Sequence, residues 1–387
     1  MSAELKNVLA DLQKRKIITD IDKNCANLDN FYRLKTDEKV IYWGVDCTNE
    51  SLHIGSLFSI LQTVRFASKN FTVLLILGGA TSKIGDPSDK LQERPQLEAD
   101  KLNIYQKKIR KQLEEILIRP KKIEVIDFAP LESFYTANSQ LLKNLYKILE
   151  INIEDKNKKK WEKYLSYIWP LKENKFKILN NNDWLSKISF LDFIDKVGRK
   201  IRINDLLTKK TIEQRLSSGT GLSFLAFSYS LLQAYDFYYL YQNYNCHGQV
   251  GGSDQWGNLT TGLELIKKFY PEKETKTFAF TFPLLTDKDG KKISKSSTDN
   301  TIWLSPEKTS FHEFYDFLRN MPDEQALKFL YQFTFLTEEQ IKEIDQLNKP
   351  RKLRIPQRIL IELLFYLLYH KKGLIISNKE SQLETKT

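Results

Sequence analysis

The sequence predicts an α/β fold, a doubly wound parallel sheet within residues 1–300, followed by a helical region over 301–387. Three observations carry the prediction. Thr72–Leu77 is a near-continuous apolar run, as a strand covered on both faces by crossover helices must be. It ends in Gly78-Gly79, and a helical pattern follows over about 97–118. Further short apolar runs with glycine-bearing turns then alternate with helical stretches. In such sheets ligands sit beyond the carboxyl ends of the strands.

The elements follow in order. Residues 1–20 mix acidic and basic side chains and read as an amphipathic helix, not as a signal or transit peptide. Val40–Val45 reads as a strand, and the turn through Asp46–Ser51 leads into a helix from about His53. The strand at Thr72–Leu77 and the helix near 97–118 come next. Residues 119–180 break the pattern: they are rich in Lys and Asn and carry the run Lys158-Lys159-Lys160. They read as a solvated insertion or, alternatively, as an RNA-contacting surface. Helices from about Ser189 to Tyr244, a strand near His247–Val250, a helix from about Trp256 and a strand near Phe278–Phe282 resume the α/β order. From about Pro306 the pattern is helical to the end.

With 387 residues, 41% of them hydrophobic, the chain can bury a large core and more than one domain. Its net charge of +11 points to a polyanionic partner. Two segments hold most of the excess: residues 119–177, with 13 basic and 8 acidic side chains, and residues 350–387, with 8 and 3. Cys25, Cys47 and Cys246 have no paired spacing, which argues against a disulfide framework or a zinc site and for a reducing compartment. The longest apolar run, Ile359–Tyr369, contains Glu362 and is too short to span a bilayer. A soluble, cytoplasmic protein without membrane association is expected.

The run Tyr229–Asp236 carries the first chemical signal. On a helix, Gln233 lies about 40° and Asp236 about −20° from Tyr229, so the three share one face. Their neighbours Phe224, Leu225, Phe227, Leu231, Leu232 and Phe237 are apolar. A carboxylate and an amide buried there need partners, because unpaired they cost several kcal/mol. The partners are either an internal network or a small ligand bearing an ammonium and a hydroxyl.

Three further motifs stand in order along the chain. Cys47-Thr48-Asn49-Glu50-Ser51-Leu52-His53-Ile54-Gly55-Ser56 is a strand-to-helix turn, and a helix N-terminus offers free N–H groups to phosphate. Gln249-Val250-Gly251-Gly252-Ser253-Asp254-Gln255-Trp256-Gly257-Asn258 ends a strand and opens a helix. Lys292-Ile293-Ser294-Lys295-Ser296 follows the turn signal Asp289-Gly290 and places two cations on a loop.

Together these motifs, with Gly79-Ala80-Thr81 and Gly85-Asp86-Pro87-Ser88, resemble the tyrosyl-tRNA synthetases, class I enzymes. The resemblance covers roughly residues 1–118 and 180–345. It implies a Rossmann-like catalytic domain and a helical region that binds the tRNA anticodon. Its implied activity is tyrosine–tRNA ligation, in which tyrosine and ATP give tyrosyl-adenylate and tyrosine passes to the 3′ end of tRNA. For tyrosine, it implies Tyr229, Gln233 and Asp86 around the α-ammonium, Tyr42 and Asp236 at the phenolic hydroxyl, and Gln255 near the carboxylate. A site built to bond a hydroxyl rejects the analogue lacking it, and tyrosyl-tRNA synthetases are themselves the standard instance of that rule.

For ATP, the resemblance implies Gly44, Asp46, His53, Gly55, Gly252, Asp254 and Lys295, with Thr48, His53, Ser56, Lys292 and Lys295 serving the reaction. Ser56 stands where the family motif has its second histidine. Magnesium is expected with ATP as substrate, with no tightly bound cofactor and no metal site. A homodimer is expected by the same resemblance, with the helices near 189–230 between the nucleotide sites. Many relatives end in a small basic RNA-binding module, for which this sequence leaves no room after Ile359–Lys372. Two rival readings remain: a tryptophan–tRNA ligase, against which Tyr42 and Asp236 argue, and a catalytically impaired RNA-binding or splicing protein on the same scaffold, of which Ser56 would be the first symptom.

Overall fold

A computed structural model describes residues 9–21, 34–86, 97–118, 126–136, 139–217, 223–272, 275–286, 293, 301–349 and 353–384. The chain divides into two compact units. The first holds residues 1–50, 65–111 and 175–284; the second holds 51–64, 112–174 and 285–387.

The first unit is built on a five-stranded, all-parallel sheet: β1 (Val40–Asp46), β2 (Thr72–Gly78), β3 (Phe176–Asn180), β4 (Gly248–Gly252) and β5 (Phe278–Phe282), in the order β3-β2-β1-β4-β5. β2 is buried along six of its seven residues and β5 along all five, which is why both read as apolar runs. From β1 the chain winds outward through β2 and β3, then returns to β4 on the other side. The order reverses between β1 and β4, so the crevice forms at the carboxyl ends of those two strands. The long helix Phe224–Tyr244 packs against the helix Trp256–Phe269. Phe237 and Leu240 of the first join Tyr42, Leu74, Ile76 and Ile266 in one apolar core.

β3 is the strand the sequence hid. Its five residues end the Lys/Asn-rich stretch; only Phe176 is buried, and the rest are half-buried or exposed at the sheet edge. An edge strand covered on one side lacks the apolar run that marks β2.

The second unit is helical. It includes Gln140–Ile148, Asn157–Leu165, Phe311–Arg319, Asp323–Phe333, Glu338–Asn348 and Ile355–Glu384. Capping boxes open two of them, Ser310 with Glu313 and Thr337 with Gln340. The reading of 119–180 as a solvated insertion does not survive. Trp161 is fully buried and stacks on Tyr366 at 6.3 Å, and Gln340 Nε2 donates to the Ile148 carbonyl at 2.9 Å. Lys158 and Lys159 are exposed on the outer face of the same short helix. Burying Trp161 and Trp169 with Tyr146, Tyr164 and Tyr167 outweighs the polar composition that makes the segment look loose.

Candidate active site

The site grows from the carboxyl end of β1. Asp46, its last residue, accepts the Thr81 hydroxyl on Oδ1 at 2.8 Å and the Tyr229 hydroxyl on Oδ2 at 2.9 Å. Thr81 reaches it because β2 ends at Gly78, where any Cβ would collide with the Asp46 carboxylate and the Thr81 hydroxyl. Tyr229 is buried, and its hydroxyl is pushed well above its usual pKa by burial, then by Asp46 and Asp86. It therefore stays a neutral donor at physiological pH.

Two turns further along the same helix face lies Asp236, 4% exposed. Its Oδ1 accepts the Trp184 indole N–H at 2.7 Å and its Oδ2 accepts Asn181 Nδ2 at 3.0 Å. Burial raises its pKa to about 7 in spite of these two donors. Tyr42 lies within reach of the Asp236 field, which with burial drives its own pKa up. Its hydroxyl donates to Gln249 Oε1 at 3.1 Å, and Gln249 Nε2 donates to the Leu259 carbonyl at 2.5 Å. Gln233 is half-buried between Tyr229 and Asp236 along the helix.

The turn after β4 supplies a second chain of contacts. Asn258 Nδ2 donates to Gln255 Oε1 at 3.1 Å, and Gln255 Nε2 donates to Asp86 Oδ2 at 2.5 Å. Gly252 ends β4 and Asp254 follows in a short 3-10 turn, both half-buried. Gly44, on β1, is exposed, and a Cβ there would meet only ordinary contacts at 3.8 Å and beyond.

The His-x-Gly segment is pinned by the strip 302–304: Ile54 N–H donates to the Ile302 carbonyl at 2.9 Å and Leu304 N–H to the Leu52 carbonyl at 2.8 Å. The His53 ring meets Trp303 edge-on at 6.1 Å. Its Nδ1 accepts the Gly55 N–H at 3.1 Å, which in a neutral ring places the proton on Nε2. A Cβ on Gly55 would stand 2.9 Å from His53 Cε1, so a larger residue there would push the imidazole out of its present position. Ser56 is 5% exposed within the helix Ile54–Ala67, and Thr48 is half-buried. Lys292 and Lys295 lie outside the described residues, as do Arg351 and Lys352.

Four residues of this cluster received no role from the sequence: Thr81, Asn181, Trp184 and Gln249. Gln249 and Thr81 stood inside quoted motifs and carried a signal. Asn181 and Trp184 lie just past β3, between the Lys/Asn-rich stretch and the next expected helix, in no motif. Asn181 also donates to Thr81 Oγ1 at 3.0 Å, so it joins the Asp46 and Asp236 ends of the cluster. Among the described residues, no three His, Cys, Asp or Glu side chains gather as a metal site, and no helix is long and apolar enough to cross a membrane.

The family described as tRNA synthetases class I (W and Y) matches residues 34–364. The tyrosine–tRNA ligase of Flavobacterium psychrophilum is 34% identical over 381 residues, covering 98% of this chain and 75% of that protein. The chloroplastic/mitochondrial tyrosine–tRNA ligase of Arabidopsis thaliana is 35% identical over 349 residues, covering 89% of this chain and 57% of that protein. A C-terminally truncated mitochondrial tyrosyl-tRNA synthetase of Aspergillus nidulans superposes with a TM-score of 0.72 at 25% identity, covering 100% of this chain and 96% of that one. The chain belongs to the class I tRNA synthetases of the tryptophan and tyrosine family, among its tyrosine–tRNA ligases.

Proposed function

We propose that this chain joins tyrosine to tRNA through a tyrosyl-adenylate, and that the cluster around the β1–β4 crevice is its tyrosine pocket. One observation carries the substrate: Asp236 and Tyr42 are both buried, and the Asp236 charge acts on the Tyr42 hydroxyl, near the face that bears Tyr229 and Gln233. A buried acceptor and a neutral hydroxyl suit a phenol, which donates to Asp236 and accepts from Tyr42 once the Tyr42 hydrogen turns away from Gln249. Indole offers no such pair of bonds, which disfavours tryptophan. Asp86, held by Gln255, and Tyr229, held by Asp46, take the α-ammonium.

In this reading the tyrosine carboxylate attacks the α-phosphorus of ATP. A new C–O–P linkage forms, the α–β bridging P–O bond breaks, and pyrophosphate leaves. No protein base is required, since the attacking carboxylate is already ionised. Positioning and charge stabilisation supply the catalysis. Thr48 and His53, with the proton on Nε2, donate to ATP phosphates; Gly44, Asp46, Gly55, Gly252 and Asp254 line the nucleotide; Lys292 and Lys295 meet the charge on the leaving pyrophosphate. Magnesium enters with ATP as substrate. Ser56, buried in its helix, supports the motif's packing more than its chemistry.

A homodimer belongs to the same proposal. Phe190, Leu191, Ile203 and Phe224 are 66%, 78%, 64% and 65% exposed, all within the stretch assigned to the interface. Exposed apolar side chains gathered this densely mark an association surface. Sedimentation equilibrium should give twice the chain mass, and Leu191→Glu should give the monomer.

The test of the activity is exchange of pyrophosphate into ATP with tyrosine, phenylalanine and tryptophan compared. Tyrosine-dependent exchange is expected. Exchange driven by tryptophan, or none, would overturn the reading.

A further inference from the structure

The turn that carries His53 is held along one side by the strip 302–305, which no sequence motif singled out. His53 and Trp303 form an isolated antiparallel bridge within it. We propose that Trp303 is a positioning residue for adenylate formation: its indole fixes the His53 imidazole so that the Nε2 N–H is presented to the ATP phosphates. The inference rests on the ligase reading and adds a residue to its machinery.

The backbone around His53 is fixed first. Leu304 N–H donates to the Leu52 carbonyl and Ile54 N–H to the Ile302 carbonyl, one bond on each side of the histidine. Buried Ser51 closes the same end. Its hydroxyl donates to the Leu52 carbonyl at 2.7 Å and accepts Gln112 Nε2 and the Ser305 N–H, each at 3.0 Å. Gln112 Oε1 in turn accepts the Leu52 N–H at 2.8 Å. With the main chain pinned, the side-chain torsions of His53 remain to be set.

Two neighbours act on those torsions. The Gly55 N–H donates to Nδ1, which sets the tautomer but grips the ring at one atom. Such a bond still lets the ring tilt, and the indole alongside limits the tilt. The two ring planes stand at 83° with centres 6.1 Å apart, the edge-to-face arrangement that aromatic pairs prefer.

Trp303 is itself held. Its backbone N–H donates to the hydroxyl of buried Thr309 at 2.9 Å, and Lys308 Nζ lies over its ring, 4.6 Å from the centre. The next residue, Leu304, is buried, and its carbonyl accepts the Tyr369 hydroxyl at 3.1 Å. The indole is therefore anchored in the packed helical unit. A donor that meets charge developing on phosphate is effective only when its direction is set before the charge appears.

The experiment is a double-variant cycle on the full chain, read by tyrosine-dependent exchange of pyrophosphate into ATP. Trp303→Leu should lower kcat about tenfold, the scale of one immobilised side chain released, with the KM for tyrosine unchanged. His53→Asn supplies the second background, because its amide oxygen can still accept the Gly55 N–H while the Nε2 donor is gone. There Trp303→Leu should lower kcat by less than about twofold, since its effect runs through the imidazole. Equal losses in the two backgrounds would make Trp303 a packing residue only and overturn the proposal, as would an unchanged kcat in Trp303→Leu. Absence of exchange in the parent chain would instead fail the ligase reading. A second measurement needs neither activity nor a folded Trp303→Leu: NMR of the parent chain with isotope-labelled histidine, at a pH where the rings are neutral. The chain has four histidines, and the His53 signals are those lost in His53→Asn. A ring protonated on Nε2, with cross-relaxation to indole protons that Trp303→Phe removes, is expected. A ring without that contact, or with its proton on Nδ1, overturns the proposal.

Discussion

The Asp236 carboxylate accepts the Trp184 indole N–H at 2.7 Å, and the same carboxylate takes Asn181 Nδ2 on its other oxygen at 3.0 Å. Both oxygens are engaged, yet burial still lifts the acid to about pH 7. The carboxyl is therefore fixed in direction but poised in charge. A tyrosine hydroxyl docking beside it would add a third donor and favour the ionised form.

Asp236→Asn should lower the tyrosine/phenylalanine ratio of kcat/KM by a factor of at least about 10, matching about 1.5–3 kcal/mol for a charge-assisted bond. The variant should also lose stability. An amide can accept from only one of Trp184 and Asn181, so one donor faces a donor. Trp184→Phe should weaken the same discrimination less, because Asn181 still orients the acid. Steady-state kinetics with both amino acids decides, and an unchanged ratio in Asp236→Asn would remove Asp236 from the hydroxyl site.

Glu362 gives a pH prediction for the helical unit. It is fully buried, and the Leu131 N–H and Ser133 hydroxyl donate to it, yet burial raises its pKa to about 8. The folded value exceeds the unfolded one near 4.5, so folding favours the protonated acid. That stability is complete below about pH 4.5 and is lost as pH rises through 8. Glu362→Gln cannot ionise, so it should lose less stability than the parent between pH 5 and pH 8.5. Urea unfolding at the two pH values tests this, and parallel losses in parent and variant would contradict it.

Ser56→His, which would restore the family motif, should destabilise the protein. The site is 5% exposed inside the helix Ile54–Ala67, and an imidazole there must displace its neighbours. Overpacking of this kind costs about 1–3 kcal/mol. A variant with unchanged Tm and tighter ATP binding would show that position 56 opens toward the nucleotide after all.

Lys295→Ala should slow adenylate formation by on the order of 10²-fold while leaving tyrosine affinity close to the parent's, because its charge is useful where the transition state concentrates negative charge. Single-turnover kinetics separates the two quantities. A loss confined to tyrosine affinity would place Lys295 at the amino-acid end.

Much of this protein is legible in one dimension. The apolar run of β2, the glycines at strand ends and the shared face of Tyr229, Gln233 and Asp236 are periodic or local signals, and they specify the parallel sheet and its ligand-bearing edge without any contact map. The order of the motifs does the rest for the family. Tertiary structure alone decided where the half-buried and long-range groups went. β3 has no apolar run because a sheet edge is covered on one side. Asn181 and Trp184 reach Asp236 across 55 and 52 residues of chain, and no local pattern encodes such a meeting. The segment 126–174 looked polar by composition, but burial is set by the few large side chains that turn inward, Trp161 and Tyr164 among them, not by the average of the many that turn out.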